Sequence, residues 1–353
     1  MKDRNKSRKT IKLSKGSHNN QIHGHNVVAC VWDFDKTLIP GYMQTPLFNY
    51  FGINEKVFWS EVNKLPEIYL LRNQTVSAET IYLNHILSYV KNGPMRGLTN
   101  QKLFELGKEL PFYPGLPEFF QEIALIAQEK NFKDYDFKVE HYIISTGLAQ
   151  MILGSKIATF VEGVFASEFI ESALPPNYLS QTDLSLPIDP EISQIGLAVD
   201  NTIKTRFIFE INKGCNKNSA LDVNASVPHE LRRVPFDQLI YVADGPSDVP
   251  VFAVVKQMGG KTYAVYDPDD EDEFAQTCKL VESGRVHNNG PADYSPRSST
   301  SIWMKQKVRE ILTSMVMRKQ ESFQKNILSA PKHMPKNESS EVQQVGKQES
   351  LWQ

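Results

Sequence analysis

The chain has little of what would tie it to an oxidising compartment or a membrane. Its 353 residues include three cysteines, Cys30, Cys215 and Cys278, which are odd in number, far apart and in no metal-ligating spacing. That argues against a disulfide framework or a cysteine-based zinc site and fits a reducing compartment. No apolar run approaches the roughly 20 residues needed to span a bilayer. The basic N-terminus is followed by no signal-peptide core before Val27, so a soluble, cytoplasmic protein is expected. In that setting the sequons at Asn224 and Asn337 mean little. There is no internal repeat, and neither sign of charge dominates. The net charge is −2, with 41% hydrophobic and 23% charged residues, an ordinary globular composition.

The charge is unevenly placed. Residues 1–26 carry seven Lys and Arg against Asp3 alone. Such an arm can touch nucleic acid or an anionic membrane. It has no aromatic residue and no apolar periodicity, so a solvated, disordered terminus is the favoured reading, with neither membrane nor nucleic acid expected as partner. His18, His23 and His25 fall in the same arm at irregular spacing and are not read as a metal site.

The informative feature is Asp33-Phe34-Asp35-Lys36-Thr37, directly behind the apolar run Val27 to Trp32. Side chains alternate along a strand, so carboxylates at i and i+2 share a face. Two like charges there are costly unless a cation or proton intervenes. At the C-terminal edge of a parallel sheet, a hard divalent ion such as Mg²⁺ is the natural neutraliser. One carboxylate can then attack an electrophile while the other moves a proton. The competing reading makes both acids caps or turn residues. Two later segments repeat the pattern. Ile143-Ile144-Ser145-Thr146-Gly147 is an apolar strand ending in hydroxyls and a glycine, and Leu239 to Ala243 runs into Asp244-Gly245-Pro246-Ser247-Asp248. Hydroxyls followed by a glycine suit a phosphate oxygen.

In this order the segments resemble the haloacid-dehalogenase-like superfamily, in its phosphoserine-phosphatase-like branch. DFDKT matches the first motif, DxDxT; Ser145 closes the second; Asp244 and Asp248 match the fourth, GDGxxD, with Ala243 in place of its first glycine. The resemblance covers roughly residues 26–265. It implies a doubly wound, mostly parallel α/β sheet with an inserted helical cap. It implies Asp33 as nucleophile and Asp35 as general acid/base, with Ser145 on the phosphoryl group. It places Mg²⁺ on Asp33, the Asp35 carbonyl, Asp244 and Asp248. The third motif is a lysine near a helix start, which fits Lys204; Lys213, at the far end of the same segment, is where a lysine simply meets the helix dipole. The reaction implied is hydrolysis of a small phosphorylated metabolite through an aspartyl-phosphate. The alternatives are a phosphotransferase of the same superfamily or a non-catalytic phosphate-binding module. Dehalogenases generally lack the second acid, so Asp35 argues against that activity. No motif speaks to oligomeric state.

The expected organisation is a basic arm (1–25), a core from 26–44 and 111–319, a helical cap over 45–110 and a disordered tail from 320. The cap reads as helices at Pro46 to Phe51, Glu55 to Lys64, Ser77 to Lys91 and Asn100 to Glu109. Tyr42, Gln44, Arg72 and Arg96 are the flap and cap residues that could face a substrate. In the core, strands are expected at 138–144, Gly163 to Phe169, Ile195 to Val199 and Tyr263 to Tyr266, the last in the sheet. Helices are expected at Leu116 to Lys130, Leu148 to Phe160, up to Asn212 from an Asn or Thr cap, Glu271 to Glu282 and Trp303 to Lys319. Residues 214–236 read as a polar insertion, and Asp267 to Glu273 as a solvated acidic loop.

Overall fold

The computed structural model describes residues 25–180 and 190–326. The readings made of the basic arm, including His18 and His23, and of the tail beyond 326 lie outside the described residues.

Six consecutive apolar residues form β1 (Val27–Trp32), and all are buried. Alternation sends Val28, Cys30 and Trp32 into one apolar cluster and Val27, Ala29 and Val31 into another. A strand buried on both faces belongs inside a sheet covered on both sides. β1 is joined there by β2 (Lys138–Leu148), β3 (Gly163–Glu171), β4 (Ile192–Leu197), β5 (Leu239–Ala243), β6 (Lys261–Tyr266) and β7 (Asn288–Pro291). Their order is β4-β3-β2-β1-β5-β6-β7. Every pairing is parallel except β3 with β4. This is the doubly wound α/β sheet expected. β1 and β5 are neighbours although far apart in the chain, and such a switch point opens a crevice at the strand C-termini.

One face is covered by α1 (Thr45–Phe51), α2 (Glu55–Leu71), α3 (Ile81–Asn92), α4 (Asn100–Gly107), α5 (Glu118–Leu125), α6 (Ala149–Gly154) and the start of α10 (Ser299–Asn326). The other carries α7 (Asn201–Lys213), α8 (Val249–Gln257) and α9 (Glu271–Glu282). Beneath the first face Trp32 is wholly buried; its Nε1 donates to His141 Nδ1 at 3.1 Å, and His141 Nε2 donates to Phe120 O at 3.0 Å. Burial pushes His141 down to about 4, so it is a neutral core histidine.

Several boundaries differ from the expected ones. The cap region 45–110 is helical, but its residues Phe48, Phe58 and Leu83 share one apolar cluster with Trp32 and Ile143. Among the described residues no compact unit separates it from the core: those up to Val316 form one unit, and the helical residues 317–326 belong to a second. The last strand is β7, not the strand at Tyr263 to Tyr266. Its sequence, Asn-Asn-Gly-Pro, has no apolar alternation, and Gly290 is needed because a Cβ there would run into the Tyr263 hydroxyl and Thr300. The tail does not become irregular at 320, since α10 continues to Asn326. Among the described residues no helix is long and apolar enough to cross a membrane.

Two glycines set the approach of α4 to α6. A Cβ on Gly107 would run into the Met151 carbonyl, and one on Gly154 into the Phe104 carbonyl. Gly154→Ala is therefore expected to destabilise the fold by about 1–3 kcal/mol. The measurement is the urea midpoint at unchanged m-value; a midpoint equal to wild type would show that the helices tolerate the added methyl.

Candidate active site

β1 ends at Trp32, and the ladder runs one step further, with Asp33 N donating to Val242 O at 2.9 Å. Parallel register with β5 pairs Trp32 with Val242, so Asp33 and Asp244 leave adjacent strand ends together. On the other side Trp32 pairs with Ile143, which brings Ser145 to the same sheet edge. A short 3₁₀ turn, Pro246–Asp248, folds Asp248 back toward Asp33 and Asp244; oxygens of the three carboxylates lie within 4.8 Å of one another.

The fourth component comes from α7. Asp200, rather than the expected Asn or Thr, caps this helix, accepting from Thr202 N at 2.8 Å and Ile203 N at 2.7 Å. Lys204 therefore sits in the first turn, and its Nζ bridges Asp33 Oδ1 at 2.9 Å and Asp248 Oδ1 at 2.7 Å with all three side chains buried. Lys213 sits at the other end, where its Nζ donates to the carbonyls of Val223 and Ala225 at 2.6 and 2.8 Å. It ties down the 214–236 insertion. Of the two lysines, only Lys204 reaches the acids.

The electrostatics follow from gathering three carboxylates beside one ammonium. Burial, aided by Asp248, outweighs Lys204 and pushes Asp33 up to about 6. Asp244 is raised well above the carboxylate range by burial and then by Asp33 and Asp248. Burial would lower Lys204, but Asp248 and Asp33 more than compensate and hold it charged. Asp248 is oriented by its neighbours: Oδ1 also accepts from the Tyr241 hydroxyl at 2.5 Å, and Oδ2 from Ser247 Oγ at 2.7 Å. The excess of negative charge and the all-oxygen donor set fit a hard divalent cation. Asp33, Asp244 and Asp248 are the side chains that could hold it.

Asp35 stands beside this cluster, not in it. Its Oδ1 accepts from Met43 N at 2.9 Å. Burial, then the charge of Asp33, pushes it up to about 8. Ser145 is buried, and its Oγ accepts from Gly147 N at 3.0 Å. Cap helix α3 meets this strand end through Tyr82, whose hydroxyl donates to Thr146 O at 2.6 Å. Of the four flap and cap residues, Tyr42 stays half exposed beside Lys36, whose Nζ is 5.5 Å from its ring. Gln44 is buried, with its Oε1 lacking a hydrogen-bond partner. Arg72 and Arg96 are exposed. The acidic run is exposed from 268 to 272, as expected of a solvated loop, but Glu273 is largely buried and its Oε1 pairs with Lys36 Nζ at 2.7 Å, so it clamps the loop after Asp35. Tyr241 and Met43 went unread in the sequence. A lone hydroxyl inside an apolar strand was the available signal for Tyr241; Met43 offered none.

The chain is 38% identical over 287 residues to an uncharacterized protein of Borreliella burgdorferi, covering 80% of this chain and 97% of that one. It belongs to the same family as that protein. No family model matches the chain. Among solved structures, it is similar to a HAD family hydrolase from Salmonella enterica serovar Typhi (12% identity, TM-score 0.42). That match covers 75% of this chain and 66% of the other, just under two thirds of its length. A phosphoserine phosphatase in a phospho-aspartyl intermediate analogue matches at 14% identity and TM-score 0.41 over 75% and 93%. A probable phosphoserine phosphatase from Vibrio cholerae matches at 14% and 0.44 over 86% and 69%.

The carboxylates give a pH test. Asp33 and Asp35 have folded pKa values above those of an unfolded chain, so the folded state binds more protons between about pH 4 and 8 and stability falls as pH rises through that window. The Tm of EDTA-treated protein should drop from about pH 5 to about pH 8, and Mg²⁺ should raise it more at the higher pH. A Tm indifferent to Mg²⁺ at the higher pH would remove the cation site.

Proposed function

We propose that the chain is a Mg²⁺-dependent phosphomonoester hydrolase acting on a small phosphorylated metabolite through an aspartyl-phosphate on Asp33. The reading rests on one observation, the convergence of Asp33, Asp244 and Asp248 at the ends of β1 and β5, with the buried Lys204 bridging Asp33 and Asp248. A carboxylate oxygen of Asp33 attacks phosphorus as the bond to the leaving oxygen breaks. Asp35, protonated near neutral pH by its raised pKa, gives its proton to that oxygen. The Asp35 carboxylate then takes a proton from water, whose oxygen attacks the phosphorus of the aspartyl-phosphate. Inorganic phosphate leaves and Asp33 is regenerated.

Lys204, held by Asp248, lies where it meets the negative charge of nucleophile and phosphoryl oxygens. Ser145 spends its acceptor on Gly147 N and keeps its proton for a phosphoryl oxygen. Asp33, the Asp35 carbonyl and Asp244 would hold Mg²⁺, with Asp248 behind them. Bound there, the ion supplies charge neutralisation and polarises the phosphoryl group. The helical block 45–110, docked through Tyr82 on the Ser145 strand, shields the intermediate from bulk water.

Asp33→Asn should abolish hydrolysis while the circular dichroism spectrum stays native; turnover near wild type would take Asp33 out of the nucleophile role. Asp35→Asn should slow alkyl phosphates more than p-nitrophenyl phosphate, which leaves without a proton. Equal losses on both would contradict the acid role. EDTA should stop turnover, Mg²⁺ should restore it, and Ca²⁺, with its looser coordination, should support it poorly.

A further inference from the structure

Met43 is wholly buried between the two catalytic segments and touches both. Its backbone N–H donates to Asp35 Oδ1 at 2.9 Å. Its thioether accepts from Leu148 N at 3.0 Å, at the point where β2 gives way to α6. That N–H is one of the donors a helix start leaves without an intrahelical partner. The space for the thioether is made by Gly147. A Cβ built there would lie 2.6 Å from Met43 Sδ, closer still to its Cε, and 3.2 Å from Ser145 Oγ. Gly147 is not at a positive φ. The missing side chain, not an unusual backbone, is what the position requires.

We propose that Met43 is the positioning residue that couples Asp35 to the Ser145–Leu148 loop, seated in the gap left by Gly147. The proposal rests on the hydrolase reading above, in which Asp35 is the acid and Ser145 holds the phosphoryl group. One residue, through its backbone N–H on one side and its thioether on the other, then sets the distance between the proton donor and the phosphoryl oxygens. Met43 is suited to the task because its unbranched stem threads a narrow gap and its sulfur is a weak acceptor. Leucine fills a similar volume but cannot accept the Leu148 N–H, so a Met43→Leu variant loses the link and keeps the packing.

The test compares wild type, Met43→Leu, Met43→Ala, Gly147→Ala and the double variant Gly147→Ala/Met43→Ala, with Mg²⁺, on p-nitrophenyl phosphate and on an alkyl phosphate. General acid catalysis supplies 10²- to 10⁴-fold, so a displaced Asp35 should cost Met43→Leu about tenfold in kcat on the alkyl phosphate. KM should hold, and p-nitrophenyl phosphate should lose about threefold or less, since its leaving group needs little acid. Gly147→Ala should lose more on both, because it expels the thioether beside Ser145. The double variant should recover part of that loss, since alanine at 43 frees the space. Equal losses on the two substrates, or a double variant worse than either single change, would overturn the proposal and leave Met43 as ordinary packing. If wild type turns over neither substrate, the hydrolase reading fails instead. The coupling is then read from a Tm cycle on the same Gly147 and Met43 variants, where additive shifts would sink it.

Discussion

An ammonium with almost no exposed surface, flanked by two carboxylates, is the constraint on which the rest of this site hangs. Lys204 Nζ touches Asp33 and Asp248, and none of the three is open to water. Removing one partner of a buried pair typically costs about 3–5 kcal/mol, since the other charge is stranded. Three elements are thereby held to one another: the end of β1, the turn after β5 and the first turn of α7. Asp200 sets where α7 begins, and so which residue along it reaches the acids. The same triad leaves Asp244 and Asp35 without a cation of their own. That residual negative charge is why a divalent ion suits the crevice.

Around this centre the loops are held by contacts from elements remote in sequence. The loop after Asp35 is tied on one side by Glu273 through Lys36 and on the other by Tyr294, whose hydroxyl donates to Thr37 O at 2.7 Å. Tyr113 N donates to Leu38 O at 3.0 Å and closes the same turn. Tyr241 and Ser247 hold Asp248. Under the proposed reading the site would depend on placed charges more than on covalent novelty, so such supports would matter as much as the acids. The helical block adds a further tie. Its apolar residues are continuous with the core beneath, so whatever opens the crevice works against a shared apolar interface.

Much of this was legible in the chain. β1 was plain from six apolar residues before an acidic pair, because no other environment accepts that run. The α7 segment showed its apolar face and its Gly214 stop, and the helix dipole separated Lys204 from Lys213. β7 was not legible, since Asn-Asn-Gly-Pro has no strand signature and pairs only because β6 presents an edge. The burial of Glu273 was hidden for a similar reason. A charge in an acidic run reads as solvated until a lysine 237 positions away is found 2.7 Å from it.

The sequence by itself determined the order of the acids and of the strands up to β6 along the chain, the type of most elements and the residue kinds available for chemistry. These depend on local periodicity and on the cost of burying charge, which neighbouring residues already express. Only the tertiary structure decided which of the acids form the cluster, that Asp35 turns to Met43 instead, and that Gly147 makes room for a thioether rather than a turn. The acid cluster and the seat of Met43 against Gly147 depend on distances between segments roughly a hundred residues or more apart, and the Asp35–Met43 bond, though local, forms in the loop those contacts fix. Such distances follow from sheet register and close packing, and no local pattern encodes them.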